Sequence, residues 1–254
     1  PGVEIRFSGS YSLSVQGCLN ATGVQGDSIR FTVTDKSGFN TNTHQGWRGI
    51  RFQNVVHPDS SAIVYCVLEY GKANAISEEN YGGALFTKGF GRIKIGNSAL
   101  RNNRSAYGGA IAIYEVSNLT LKDLVLKGNY ATEEGGGIYS TTSELTLTRC
   151  RLINNTAMYR GGGINARTST VNIQKSLVVG NKGGATEAFW LSKVNIDKST
   201  IAGNTGAPDG VSLYRSDLTC TNSILWNKTN NTSYPEIANV DYSIVTLDYC
   251  IVKG

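Results

Sequence analysis

The sequence predicts an all-β solenoid: about ten coils of 23–27 residues, each built of short strands that pair in parallel with the coils above and below. Three observations carry this. Asparagines stand at 103, 129, 155, 181, 204 and 227, in steps of 26, 26, 26, 23 and 23 residues. Ahead of each, apolar and polar residues alternate with the period of two that strand geometry demands. The composition, 30 glycines against 4 prolines and 1 methionine, favours strands and tight turns over helices.

Each element of the coil has its own signature. Three residues before the asparagines stand Leu100, Leu126, Leu152, Val178, Ile201 and Ile224; eight before stand Ile95, Leu121, Leu147, Ile173, Ile196 and, as an exception, Thr219. Ten before stand Ile93, Leu119, Leu145, Val171 and Val194, with the polar Lys94, Thr120, Thr146, Asn172 and Asn195 between the two apolar rows. Stacked coils turn these rows into ladders of like side chains filling the interior. Each asparagine is expected to donate its amide to the next coil while its backbone takes a left-handed bend, for which the preceding Asn102, Gly128, Asn154, Gly180 and Gly203 are also suited.

A further strand follows each asparagine, announced by Gly82-Gly83, Gly108-Gly109, Gly135-Gly136-Gly137 and Gly161-Gly162-Gly163, which mark a tight corner. The register extends backwards to Gly71, with Leu68, Cys66 and Ile63 before it, and forwards to Val245, Leu247, Cys250 and Val252. The solenoid is therefore read as one domain over residues 1–254, continuing past the last of them. Residues 38–45 and 72–81, the latter with Glu78 and Glu79, break the pattern and are expected to protrude as loops.

Several function classes recede. No run approaches the ~18 apolar residues of a membrane helix, so no membrane insertion by this segment is expected. The net charge of +5 is dispersed, which argues against a nucleic-acid footprint and leaves a mild attraction for acidic glycans. Cys18, Cys66, Cys150, Cys220 and Cys250 are odd in number and widely spaced, with no C-x-x-C pair, so no disulfide framework, metal knuckle or redox pair is expected. Cys66 and Cys150 share a coil position with Ser98, Ser176 and Ser199 and read as small ladder residues. His44 and His57 are too isolated for a metal site, and the seven Asn-x-Ser/Thr sequons include Asn103 and Asn227, which belong to the asparagine ladder.

The segments LRNNRSAYGGAI (100–111), LINNTAMYRGGGI (152–164), NSILWN (222–227) and GWRGI (46–50) resemble the right-handed parallel β-helix repeats of bacterial surface proteins, including chlamydial polymorphic outer-membrane proteins. The resemblance spans nearly the whole chain. It implies a right-handed, single-stranded β-helix and a secreted or cell-surface location, with other domains of the same protein as neighbours. Function is left open, because this architecture carries adhesins, glycan binders, pectate and alginate lyases and glycoside hydrolases alike.

With the interior filled, a ligand must lie against an outer wall. Taking Leu85, Ile111, Ile138, Ile164, Phe189 and Val211 as an inward row places Phe86, Ala112, Tyr139, Asn165, Trp190 and Ser212 outward, followed by Lys88, Tyr114, Thr141, Arg167, Ser192 and Tyr214. Aromatic faces stack on sugar rings, and Arg, Asn and Thr bond hydroxyls or uronate carboxylates. Phe86, Tyr114, Tyr139, Asn165, Arg167, Trp190 and Tyr214 are thus the candidate glycan-binding residues, for a polysaccharide or a host glycan. Glu133, Glu134 and Glu187 at the rim are candidate acids or calcium ligands, although solvated turn charges account for them as well. Arg149, Lys175 and Lys198 recur as a basic row. The Asn-Thr-Asp and Gly-x-Asp-Asp motifs of polygalacturonase-like hydrolases are missing, and Asp123, Asp197, Asp209 and Asp217 are dispersed. No catalytic residue is assigned, and no cofactor or bound metal is expected. The reading is a noncatalytic glycan-binding or adhesive module. Its alternatives are a lyase or hydrolase of acidic polysaccharide, with Tyr139 or Tyr114 and Arg167 as the elimination trio, and a rigid spacer.

Overall fold

A computed structural model describes residues 2–41, 45–56, 59–73, 80–206, 209–227 and 235–253. His44, His57, Glu78, Glu79, Asn230 and Asn231 lie outside them. Every named regular element is a β-strand, and every strand pairing is parallel. Ten strands, from Glu4–Phe7 to Ile251–Val252, form sheet one; nine, from Leu13–Val15 to Ile237–Val240, form sheet two; nine, from Asn20–Thr22 to Val245–Asp248, form sheet three. Arg104–Tyr107, Tyr130–Glu134 and Thr156–Ala157 add a short fourth sheet at one corner. Among the described residues no helix is long and apolar enough to cross a membrane.

The ladders run in register. In sheet one Leu68, Leu100, Leu126, Leu152, Val178, Ile201, Leu225 and Val252 stack in turn. In sheet three the row through Leu121, Leu147, Ile173 and Ile196 continues into Cys220 and Leu247. That resolves the exception at Thr219: it stacks outward on Asn195, and the inward place belongs to Cys220. The coil there reaches its asparagine one residue sooner. From Leu68 to Leu225 these interior side chains are almost entirely removed from water, each contributing about 2 kcal/mol of burial.

Asn103, Asn129, Asn155, Asn181, Asn204 and Asn227 form a continuous buried ladder. Asn155 is typical. Its Oδ1 accepts from the Asn129 backbone N–H at 3.1 Å and from Asn129 Nδ2 at 2.8 Å, while its own Nδ2 donates to the Leu126 carbonyl and to Asn181 Oδ1, both at 3.0 Å. Both ends are closed. Gly71 N–H donates to Asn103 Oδ1 at 2.8 Å, and Asn227 donates from N and Nδ2 to the buried Glu236 carboxylate at 2.8 and 2.7 Å. A carboxylate has no N–H to hand on, so the relay stops there.

The expected left-handed bend falls one residue earlier than the ladder asparagines, at Asn102, Gly128, Asn154, Gly180 and Gly203, with φ of 52–66°. The bend aims the following amide inwards. At the next corner Gly108 has φ of 66°, and a Cβ on Gly109 would collide with the Gly136 carbonyl of the next coil. This is why the corner repeats glycine.

Of the expected 72–81 loop, residues 72, 73, 80 and 81 are described. Lys72 is bridged to Arg104 and its ammonium donates to the Phe39 carbonyl at 2.5 Å; Tyr81 is bridged to Tyr107. Both ends thus belong to the wall, with 74–79 outside the described residues. Gly38–Thr41 form a turn closed by Thr41 N–H on the Gly38 carbonyl, and Phe39 is buried.

Candidate functional site

The outer face of sheet two has two rows. One runs Arg51, Phe86, Ala112, Tyr139, Asn165, Glu187, Ser212; the other Lys88, Tyr114, Thr141, Arg167, Phe189, Tyr214. The sequence placed Phe189 inward and Trp190 beside Asn165. Instead Thr186 and Ala188 take the inward places, Glu187 lies beside Asn165, and Phe189 faces out beside Arg167. Trp190 and Leu191 then turn the corner with φ of 56° and 62°. The apolar character of Phe189 misled the register: its ring is covered by arginines, not by the interior.

The first row is also less accessible than alternation implies. Phe86 and Asn165 are fully buried and Tyr139 is 5 % exposed, because the chain ahead of each glycine corner folds back over them. Tyr81 stacks on Phe86 at 5.9 Å and on Tyr107 at 5.1 Å; Tyr107 meets Tyr139 at 5.1 Å, and Tyr114 meets Tyr81 at 4.9 Å. The Arg51 guanidinium caps Phe86 at 5.4 Å from its centre. These offset and edge contacts are the arrangements aromatic quadrupoles favour. Burial pushes the Tyr139 phenol up to about 12, and burial with hydrogen bonding to Tyr81 and Tyr139 moves Tyr114 upward too. At neutral pH both keep their protons and do not serve as bases.

Further along, the wall changes from aromatic to charged. Arg167 grips Glu134 through Nε at 3.0 Å and Nη2 at 2.5 and 2.6 Å. Arg160 lies 3.5 Å from Glu187, and the Arg160 and Arg167 guanidiniums lie 4.9 and 5.7 Å from the centre of the Phe189 ring. Burial pushes the Glu187 carboxyl up to about 7, with Arg160 opposing and Glu134 adding to the shift. Beside it, neither polar atom of the Asn165 side chain, nor Thr186 Oγ1, has a hydrogen-bond partner among the described residues. Over this floor opens a groove of about 580 Å³ walled by Glu133, Glu134, Tyr159, Arg160, Arg167, Phe189, Trp190 and Tyr214. Tyr159 is 65 % and Trp190 49 % exposed. Arg215 sits 5.9 Å from the Trp190 ring and 5.5 Å from that of Tyr214.

Of the seven candidate residues, then, Arg167, Trp190 and Tyr214 line one groove; Phe86, Tyr114 and Tyr139 belong to a packed aromatic cluster next to it; Asn165 lies buried beside Glu187. Tyr81, Tyr107, Tyr159, Arg160 and Arg215 were not among the candidates. A signal for the tyrosines was present: Tyr81 and Tyr107 directly precede the glycine corner, and Tyr159 stands two residues before Gly161. The rim carboxylates Glu134 and Glu187 are engaged by arginines, and among the described residues no three His, Cys, Asp or Glu side chains come together as a metal site.

Comparison with known families adds the deciding observation: residues 5–190 match the family described as right handed beta helix region. The chain belongs to the right-handed β-helix family. No curated protein and no solved structure matches it. The handedness of the solenoid follows from that membership, and so does the identity of the groove's floor as the outward face of a right-handed β-helix. The groove is lined by residues between 133 and 214, the last of them beyond the matched region.

Proposed function

We propose that this right-handed β-helix is a glycan-binding module of a bacterial cell surface, holding an acidic polysaccharide across the Tyr159–Trp190–Tyr214 groove. The observation that carries the reading is the pairing of exposed aromatic faces, Tyr159 and Trp190, with Arg160 in one open groove, with the Arg215 guanidinium beside the Trp190 ring. Sugar rings stack on such faces while guanidiniums take uronate carboxylates in bidentate fashion. The parallel coils give a straight wall along which a polymer can lie. In affinity electrophoresis against pectin, alginate and glycosaminoglycans, the protein is retained by at least one acidic polymer, and Trp190→Ala weakens retention about tenfold. Absence of retention by every polymer rejects the reading in favour of a rigid spacer.

One observation favours a hydrolytic second reading. Burial holds the proton of the Glu187 carboxyl towards neutrality, and a second carboxyl, Glu134, lies near it in a salt bridge with Arg167; a protonated carboxyl beside another carboxyl is the pairing that acid–base cleavage of a glycosidic bond uses. Release of reducing ends that Glu187→Gln abolishes, with binding kept, would establish it. The tyrosine-based elimination has weaker support, since its phenols hold their protons tightly and Arg167 is occupied by Glu134.

A further inference from the structure

Cys220 and Cys250 meet on neighbouring coils, with their sulfurs 3.4 Å apart. The encounter comes from two ladders crossing. Cys250 continues the small-residue position occupied by Cys66 and Cys150, where each thiol points back at the carbonyl of the preceding coil: Cys66 at Ala21 (3.2 Å), Cys150 at Leu121 (3.3 Å), Cys250 at Cys220 (3.2 Å). In the first two cases the residue reached carries an apolar side chain. In the third, Cys220 has replaced the aliphatic of the row Leu121, Leu147, Ile173, Ile196, so a thiol meets a thiol. All five cysteines are reduced in this structure.

We propose that Cys220 and Cys250 are a cross-linking site, oxidised to a disulfide in an oxidising compartment, which staples the coil of Cys250 to the one beneath it. The two cysteines belong to neighbouring coils whose strands pair in register, Leu218–Thr221 with Val245–Asp248 and Ile224–Leu225 with Ile251–Val252. A link across these residues restricts the unfolded loop between them.

The chemistry is thiol–disulfide exchange with a small disulfide such as oxidised glutathione. Cys250 is only partly buried and Cys220 fully so, so the Cys250 sulfur attacks first: it bonds to one glutathione sulfur and expels the other as a thiolate. The Cys220 sulfur then attacks the Cys250 sulfur, the Cys220–Cys250 bond forms, and the second glutathione leaves. The two thiol protons end on the two glutathiones, the protein loses two electrons and the oxidant gains them. Burial, with the Cys250 thiol close by, pushes the Cys220 thiol up to about 12, which makes the second step faster at alkaline pH.

The test treats the purified chain with a glutathione redox buffer at mildly alkaline pH and counts thiols after denaturation. The expected count falls from the five of the sequence to three, the mass falls by two hydrogens, and peptide mapping joins Cys220 to Cys250. Amide exchange in Val245–Val252 slows about tenfold on oxidation. Cys250→Ser restores the serine usual in that ladder, and Cys220→Ile the usual aliphatic, so both fold; neither shows oxidation-dependent slowing. Five titrating thiols, a glutathione adduct persisting on Cys250, or a link mapped instead through the exposed Cys18 would each overturn the proposal, as would equal slowing in Cys220→Ile.

Discussion

Asn155 and Asn165 are ten residues apart in one coil, both fully buried, and they live under opposite rules. Asn155 lies in the interior ladder, where both donors and its acceptor oxygen are matched by the neighbouring coils. Asn165 lies on the outer face of sheet two, where its amide has no partner among the described residues and the adjacent carboxyl of Glu187 clings to its proton. Buried polar groups cost little when paired and much when not. The difference separates polarity that builds the solenoid from polarity that the fold tolerates for some other end.

Substitution of the two asparagines should split them most widely. Asn155→Ala leaves the Asn129 N–H and Nδ2 without their acceptor and the Leu126 carbonyl without its donor. At 1–3 kcal/mol for each stranded group, with some relaxation, the loss is about 4 kcal/mol, measured by urea unfolding. A loss below 1 kcal/mol would mean that the ladder decorates a fold held by its aliphatic rows.

The same comparison extends to pH through Glu187. Its folded carboxyl titrates near 7, above its unfolded value, so the folded state keeps a proton that the unfolded chain releases. Stability conferred below the unfolded value is therefore lost as pH rises towards 7 and does not return above it. For a carboxyl this deeply buried the loss approaches about 3 kcal/mol. Unfolding at pH 5 and pH 8 should show the wild-type protein weaker at pH 8, with Glu187→Gln flattening the dependence. A flat wild-type profile would show that Arg160 neutralises the carboxylate.

Asn165→Leu should go the other way, stabilising by about 1 kcal/mol because an orphaned amide is replaced by an apolar group of similar size. If polysaccharide retention drops in the same variant, the amide belongs to ligand recognition.

What the sequence allowed to be read divides along the same line. The interior was legible because stacking forces like side chains into register, and a fixed offset from each asparagine names them. Even so, a coil shortened by one residue hid Cys220 behind Thr219, and the left-handed bend was assigned to the asparagine when it falls on its predecessor. The outer face was legible only in part. Alternation says which way Tyr139 and Asn165 point, not that Tyr81 and Tyr107 will fold over this wall, and a shortened coil moved Phe189 outward and Trp190 to a corner. Side-chain direction is set within one strand, whereas burial is set by segments that return from elsewhere.

A third environment, the exposed corner between sheets three and one, should respond least. Asp123, Arg149, Lys175, Lys198 and Asn222 all occupy it with φ of 48–56°, a conformation that costs a side chain energy and glycine nothing. The basic row read from the sequence is relieved at one end, because Arg149 meets Asp123 through two bonds of 2.7 and 2.8 Å. That pair is half in solvent, where such contacts contribute under about 1 kcal/mol. Arg149→Gly removes the ion pair and, at the same stroke, the strain of the left-handed backbone, so the two effects offset and net stability should move by less than about 0.5 kcal/mol. Arg149→Ala keeps the strain and loses the pair, and should be the less stable of the two. If alanine proves the worse substitution, the corner is limited by its left-handed backbone; if the two variants fall equally below the wild type, it is held by the ion pair that both have lost.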